Sequence, residues 1–264
     1  MADLVRVLAD LQAESEDLDA LVSVLSEDAW ATPTPATGWT IAHQIGHLAW
    51  TDQAATLAAT DPDGFRAAMQ AAFTASHTFV DEAAEERAHR PPGELLASWR
   101  EGRAALAAEL LGADRGKIVW FGPSMSATSM ATARLMETWA HGQDVADALG
   151  LLRLPTPRLR HVAHIGARTR DFAYLVRDRV APREPFRIEL TAPDGAIWVW
   201  GDEDGVTQSV TGPALDFCLL VTQRRHRADL SLVATGADAD EWLDIAQAFA
   251  GPPGSGRTPG QFSR

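Results

Sequence analysis

Met136-Glu137-Thr138-Trp139-Ala140-His141 is the stretch on which the fold turns. On a helix, Glu137 and His141 lie four residues apart, so their side chains stand one above the other on a single face. Far upstream, Trp39-Thr40-Ile41-Ala42-His43-Gln44-Ile45-Gly46-His47-Leu48 offers a further imidazole, His47 or His43, on another helical pattern. Two imidazoles and one carboxylate with an open fourth position form the donor set of a catalytic zinc site. Taken singly, a Glu–His pair at this spacing is often a surface ion pair, and an isolated helical His is often a hydrogen-bonded structural residue. The neighbours favour ligands. His47 lies among Ile45, Leu48 and Trp50, and the Glu–His pair lies among Leu135, Met136, Trp139 and Val145. A charge there is costly unless paired or metal-bound.

Working outward, the pair belongs to a helix expected from about Ala127 to Leu149, closed by Gly150 and entered through the loop Trp120-Phe121-Gly122-Pro123-Ser124-Met125-Ser126. The upstream histidines belong to a helix from Thr40 to about Thr60, stopped by Asp61-Pro62-Asp63-Gly64. Leu4, Leu8, Leu11, Leu18, Leu21, Val22 and Leu25 recur at helical spacing, and Pro91-Pro92-Gly93 opens a helix through Trp99 to Leu111. Residues 65–88, rich in Ala and Glu, read as a less regular helical excursion. Four principal helices make a bundle, and bundle cores are a recurrent place for metal sites.

Beyond Gly150 the composition changes. Leu154-Pro155-Thr156-Pro157 leads into a helix over about 157–178. Phe186, Ile188 and Leu190 then alternate with Arg187, Glu189 and Thr191, and Pro193-Asp194-Gly195 turns the chain back into Ile197–Trp200, a hairpin. A third strand at 208–211 precedes a helix from Gly212-Pro213 to about Gln223. A fourth strand at 229–234 precedes a final helix capped by Asp238 and running through Phe249. The expected fold class is multidomain α and α+β: a metal-binding helix bundle over 1–153 and a small C-terminal α+β domain with an antiparallel sheet over 154–250. The segment 251–264 is too poor in apolar residues to pack and is expected to be a mobile tail.

Composition narrows the function. The 264 residues carry a net charge of −13 with no basic stripe, which argues against nucleic acid or an anionic membrane as partner. The single cysteine, Cys218, sits inside Leu215-Asp216-Phe217-Cys218-Leu219-Leu220-Val221, so it reads as a buried small hydrophobe in a reducing compartment. Met1 to Arg6 show no signal pattern, and no apolar segment approaches the roughly 20 residues of a membrane span. The expectation is a soluble, cytoplasmic protein, monomer or homodimer, acting on a small-molecule substrate.

Gly38-Trp39-Thr40, His47-Leu48-Ala49 and Arg134-Leu135-Met136-Glu137-Thr138-Trp139-Ala140-His141-Gly142-Gln143-Asp144-Val145 together resemble the actinobacterial DinB-like families that include mycothiol-dependent maleylpyruvate isomerase. The resemblance is nearest to a metal-binding subfamily labelled with wyosine base formation. It implies a DinB-like four-helix bundle that holds a divalent metal, usually zinc, through one His of the second helix and a Glu-x-x-x-His of the last. These fall on His47, Glu137 and His141, which prefers His47 to His43. Val210-Thr211-Gly212-Pro213-Ala214-Leu215-Asp216 is similar to the turn that opens a helix in the sterol-carrier-like C-terminal domain of the isomerases. The resemblance also implies mycothiol or another low-molecular-weight thiol as cosubstrate. Zn2+ suits the donor set best, with Fe2+, Ni2+ and Mn2+ as alternatives.

Around these ligands stand further candidates. Asp144, one turn beyond His141, could orient a ligand imidazole. Ser124 and Ser126 could hydrogen-bond a substrate or cap the metal helix. Arg134 could grip a substrate carboxylate or pair with a neighbouring acid, and His43 could contact substrate beside His47. Three functions compete. The first is a metal-dependent enzyme that activates a small-molecule thiol, as an S-transferase or thiol-dependent isomerase. The second is a hydrolase using metal-bound water, for which no general base is obvious once Glu137 is a ligand. The third is a non-catalytic, metal-stabilised small-molecule binding protein. The wyosine label finds no support in an acidic chain with no cysteine cluster for iron–sulfur chemistry.

Overall fold

In α1 (Ala2–Val22) the buried positions Leu8, Leu11, Leu18 and Val22 fall on one helical face, so this face alone turns inward. Five more helices follow: α2 (Ile41–Thr60), α3 (Pro62–Ala75), α4 (Phe79–Ala88), α5 (Pro92–Leu111) and α6 (Ala127–Ala148). The computed structural model describes residues 2–76, 78–112, 116–201 and 205–262. They divide into two compact units, Met1–Arg153 and Leu154–Arg264. No helix among the described residues is long and apolar enough to cross a membrane.

In the first unit α1 packs on α6, and α2 packs on α4, α5 and α6. Leu18, Ile41, Ile45, Leu48, Leu95, Trp99 and Val145 form one contiguous core, and burying each such side chain contributes about 1.5–3 kcal/mol. Asp61 accepts a hydrogen bond from Gly64 N at 2.9 Å, and Pro62 fixes the first turn of α3. The excursion expected over 65–88 is thereby resolved into two regular helices. Carboxylates on the inner faces take arginines from elsewhere in the unit: Arg100 and Arg103 of α5 both reach Asp19 of α1, and Arg153, in the segment after α6, reaches Glu14.

The second unit contains α7 (Leu159–Arg168), α8 (Arg170–Leu175), β1 (Phe186–Thr191), β2 (Ile197–Trp200), β3 (Gln208–Pro213), α9 (Ala214–Val221), β4 (Val233–Thr235) and α10 (Ala237–Ile245). Phe186, Ile188 and Leu190 of β1 are buried, and Phe186 meets Trp242 of α10 at 5.8 Å between ring centroids. The sheet order is β2-β1-β3-β4. An all-antiparallel sheet was expected, but the central pair β1–β3 runs parallel, with Ile188 opposite Val210. The chain leaves β2 at one edge and re-enters on the far side of β1, so β3 runs in the direction of β1. Alternation of apolar residues marks a strand but carries no information about its neighbour.

Other boundaries move for local reasons. The single helix expected over 157–178 breaks at Thr169, whose hydroxyl donates back to Ile165 O at 3.0 Å. Residues 227–229 form a 3₁₀ turn, and β4 starts only at Val233. Gly236, at φ +91°, precedes α10 in the place expected for an Asp238 cap, and the helix ends at Ile245 rather than Phe249. The segment expected to be an unpacked tail makes contacts: Gly260 N donates to the Asp229 carboxylate at 2.9 Å, and the Arg225 guanidinium lies 4.1 Å from the centre of the Phe262 ring.

Candidate metal centre

Gly38, at φ +81°, turns the chain into Trp39 and the start of α2. There His43 does the work of a capping-box acid. Its Nδ1 accepts from Thr40 N at 3.2 Å and from Thr40 Oγ1 at 2.8 Å, and its Nε2 donates to Glu85 of α4 at 2.5 Å. Both ring nitrogens are committed at the helix end, so His43 takes no part in the donor set.

One turn further on, His47 is 8% exposed and directs Nε2 toward Glu137 Oε2 at 3.7 Å. His141, 7% exposed, directs its own Nε2 to the same oxygen at 3.2 Å, as the four-residue spacing on α6 requires. The donor atoms of His47, Glu137 and His141 all lie within 4.8 Å of one another, and the imidazole centroids are 4.5 Å apart. Burial pushes the Glu137 carboxyl up, but the hydrogen bonds and charge of His141 and His47 outweigh it and hold this group well below the ordinary carboxylate range.

Gln44 fixes how His141 presents itself, a role the sequence did not disclose. The Thr34 hydroxyl donates to Trp39 O at 2.9 Å, so its oxygen accepts from Gln44 Nε2 at 2.8 Å. The Gln44 carbonyl therefore faces His141 Nδ1, at 2.5 Å. An amide oxygen can only accept, which places a proton on Nδ1 and leaves Nε2 as the atom facing Glu137, its hydrogen-bond donor in the imidazolium and a free lone pair in the neutral ring. In the neutral ring the Nε2 lone pair meets Glu137 Oε2 across 3.2 Å, with His47 beside them, and a cation takes the place of the proton that bridges the pair. Such a set fits a cation, and its two-imidazole, one-carboxylate chemistry fits a divalent metal.

Tryptophans wall the site. Trp39 stacks on His141 at 5.9 Å with the rings 17° apart, lies 5.3 Å from His47, and donates Nε1 to Asp81 at 2.9 Å. Trp50 packs against His47 at 5.8 Å. Trp139 is buried beneath the Arg153 guanidinium and belongs to the core.

The remaining expected residues lie elsewhere or serve the fold. Arg134 is 2% exposed and donates from Nε to Asp52 Oδ1 at 2.8 Å, so it joins α6 to α2 and does not present a fork to substrate. Asp144 is fully buried on α6, while Gln44 of α2 occupies His141 Nδ1. Ser126 caps α6 by accepting from Ser129 N at 3.1 Å, and Ser124 is exposed in the loop before it. Gln44 precedes His47 by three residues, so it shares a helix face with the ligand. That spacing is the one signal by which it could have been found.

The family model described as mycothiol maleylpyruvate isomerase N-terminal domain matches residues 11–146, and one described as wyosine base formation matches residues 182–235. Uncharacterised proteins from two strains of Mycobacterium tuberculosis are 59% identical over 258 residues, which is 97% of this chain and 100% of theirs. The crystal structure of the mycothiol-dependent maleylpyruvate isomerase is similar in fold, with a TM-score of 0.58 at 16% identity, covering 84% of this chain and 89% of that one. A mutant of that enzyme matches at the same TM-score and 15% identity. Because the first model spans more than half of the sequence, the chain belongs to the mycothiol maleylpyruvate isomerase N-terminal domain family.

Proposed function

We propose that this protein is a divalent-metal-dependent enzyme, with zinc as the metal, that activates a small-molecule thiol such as mycothiol for transfer to, or isomerisation of, an electrophilic small molecule. The observation that carries the reading is the convergence of His47 Nε2, Glu137 Oε2 and His141 Nε2 at the inner face of one helix bundle. A divalent cation held there supplies Lewis acidity, which keeps a coordinating thiol deprotonated at neutral pH.

The chain's own residues prepare that chemistry. Glu137 brings the negative charge, and His47 and His141 bring neutral donors, leaving a small net positive charge to stabilise a thiolate. Gln44 holds His141 in the tautomer that exposes Nε2. Trp39 and Trp50 keep water from the flanks of the two imidazoles. No protein thiol is needed: Cys218 is buried on α9, where burial pushes its thiol well up. Family membership supports mycothiol as the thiol.

The hydrolase reading needs a general base outside the donor set, and none is evident among the described residues around it. Glu137 belongs to the donor set, Asp81 is bound to Trp39, and Glu85 is bound to His43. The test is to incubate metal-loaded protein with an unsaturated acid or another electrophile, with and without added thiol. Consumption that needs both metal and thiol supports the reading, and equal turnover without thiol overturns it.

A further inference from the structure

Next to the metal centre lies a cavity of about 260 Å³ between α2, α3, α4 and the loop before α6, whose walls include Trp50, Phe65, Phe79 and Phe121. Trp50 is common to both places, since its ring packs on His47 at 5.8 Å and on Phe121 at 5.8 Å. The α2 residues of the wall begin three positions after His47. At about 1.5 Å of rise per residue the cavity thus starts about one turn from the ligand.

One ionisable side chain lines this cavity, Arg87, and it differs from the other inward-facing arginines of the bundle. Arg100 and Arg103 hold Asp19, Arg134 holds Asp52, and Arg153 holds Glu14. Arg87 donates only to neutral acceptors, Ala83 O at 3.2 Å and Gln53 Oε1 at 3.0 Å, and its Nε is buried with no hydrogen-bond partner. Among the described residues no carboxylate stands within ion-pair distance of it. Burial pulls its pKa down, as expected of a cation short of counter-charge.

We propose that this cavity binds a small ring-bearing monocarboxylic acid, aromatic or alicyclic, with the ring among Trp50, Phe65, Phe79 and Phe121 and the carboxylate on Arg87. Its service as the electrophile site rests on the function proposed above, whereas the binding itself does not. The dimensions set the class, because an apolar cavity of about 150 Å³ already accepts benzene, so this one admits a single ring with a short substituent. The aromatic walls suit a ring face or edge. A lone guanidinium suits one carboxylate, and a second would be stranded against apolar walls.

The test is calorimetric titration of the full chain after chelator treatment, with benzoate, phenylacetate and cyclohexanecarboxylate as probes and with benzamide and phthalate as counterparts. The monocarboxylates are expected to bind, with benzamide and phthalate weaker by about tenfold or more, the loss of a charge-assisted hydrogen bond. Arg87→Met is expected to lose about tenfold or more in benzoate affinity, and Arg87→Lys to lose less. Ala72→Phe, which fills the cavity from its wall and leaves Arg87 in place, is expected to abolish binding. Benzamide binding as tightly as benzoate, a folded Arg87→Met or Ala72→Phe protein that binds like wild type, or no binding of any probe overturns the proposal. Metal content measured on untreated portions of the same preparations separates the two readings, because metal binding and probe binding can fail independently.

Discussion

At the scale of single residues, Gln44 is the group whose loss is most informative. It touches no donor atom of the centre except through His141, yet it selects that ring's tautomer through a chain that begins at Thr34. Gln44→Ala should weaken zinc binding by about 10–100-fold with little change in fold, as outer hydrogen-bond partners of metal ligands generally do. Competition with a chromogenic chelator measures this, and an unchanged affinity would show that the tautomer is set otherwise. The Glu137–His141 pair was legible in the sequence because helix geometry converts a four-residue spacing into proximity, whereas the choice of His47 over His43 came from the family resemblance. Gln44 was not, because a neutral amide in a helix gives no signal until its partners in the Trp39 turn are placed. Arg134 and His43 were left with more than one reading for a related reason. The sequence shows that a charge or an imidazole lies inside, but the partners that claim it, Asp52 for one and Thr40 with Glu85 for the other, are decided by packing.

At the scale of elements, the contacts between helices carry the consequences. Asp19 of α1 receives Arg100 and Arg103 of α5, and the Arg100 hydrogen bond above all holds its carboxyl below the ordinary value of about 3.9, against the upward push of burial. A depressed folded-state pKa means stability that is present above the unfolded value and lost as pH falls through the folded one. Asp19→Asn should therefore cost about 1–3 kcal/mol at neutral pH. The gap from wild type should narrow below about pH 4, as both states of the wild-type carboxyl take up protons. Urea midpoints across that range check it, and a pH-independent gap would contradict it. In the second unit α7 crosses α9 closely at Gly166, where an added Cβ would stand 2.8 Å from Val221 Cγ2. Gly166→Ala should destabilise by about 1–3 kcal/mol in the same assay, and a neutral effect would mean that the crossing yields easily. Helix ends punctuated by Pro and Gly, as at Asp61-Pro62, were legible. The break at Thr169 and the parallel pairing of β1 with β3 were not, since a threonine that can back-bond to the residue four before it does not by itself end a helix, and strand alternation does not name its neighbour.

At the scale of the whole molecule, the donor set draws on α2 and α6, which residues 61–126 separate along the chain, so a bound metal stabilises the folded state and not the unfolded one. Free zinc at about 100 times its dissociation constant should add about 2.7 kcal/mol to the unit that holds the site. That appears as a rise in thermal midpoint which a chelator reverses and which His141→Ala abolishes. A midpoint indifferent to zinc would contradict it. The division into a helical unit and an α+β unit was legible from the change of composition after Gly150, because helix-spaced apolar residues give way to alternation. The central claim concerns the convergence of three side chains, and elemental analysis of the purified protein tests it most directly. Wild type should carry about one divalent metal per chain, as three converging ligands imply, and His47→Ala, Glu137→Ala and His141→Ala should each lose most of it while remaining folded. Wild-type protein that takes up no divalent metal even when zinc is supplied, or variants that retain the full wild-type content, would contradict the assignment.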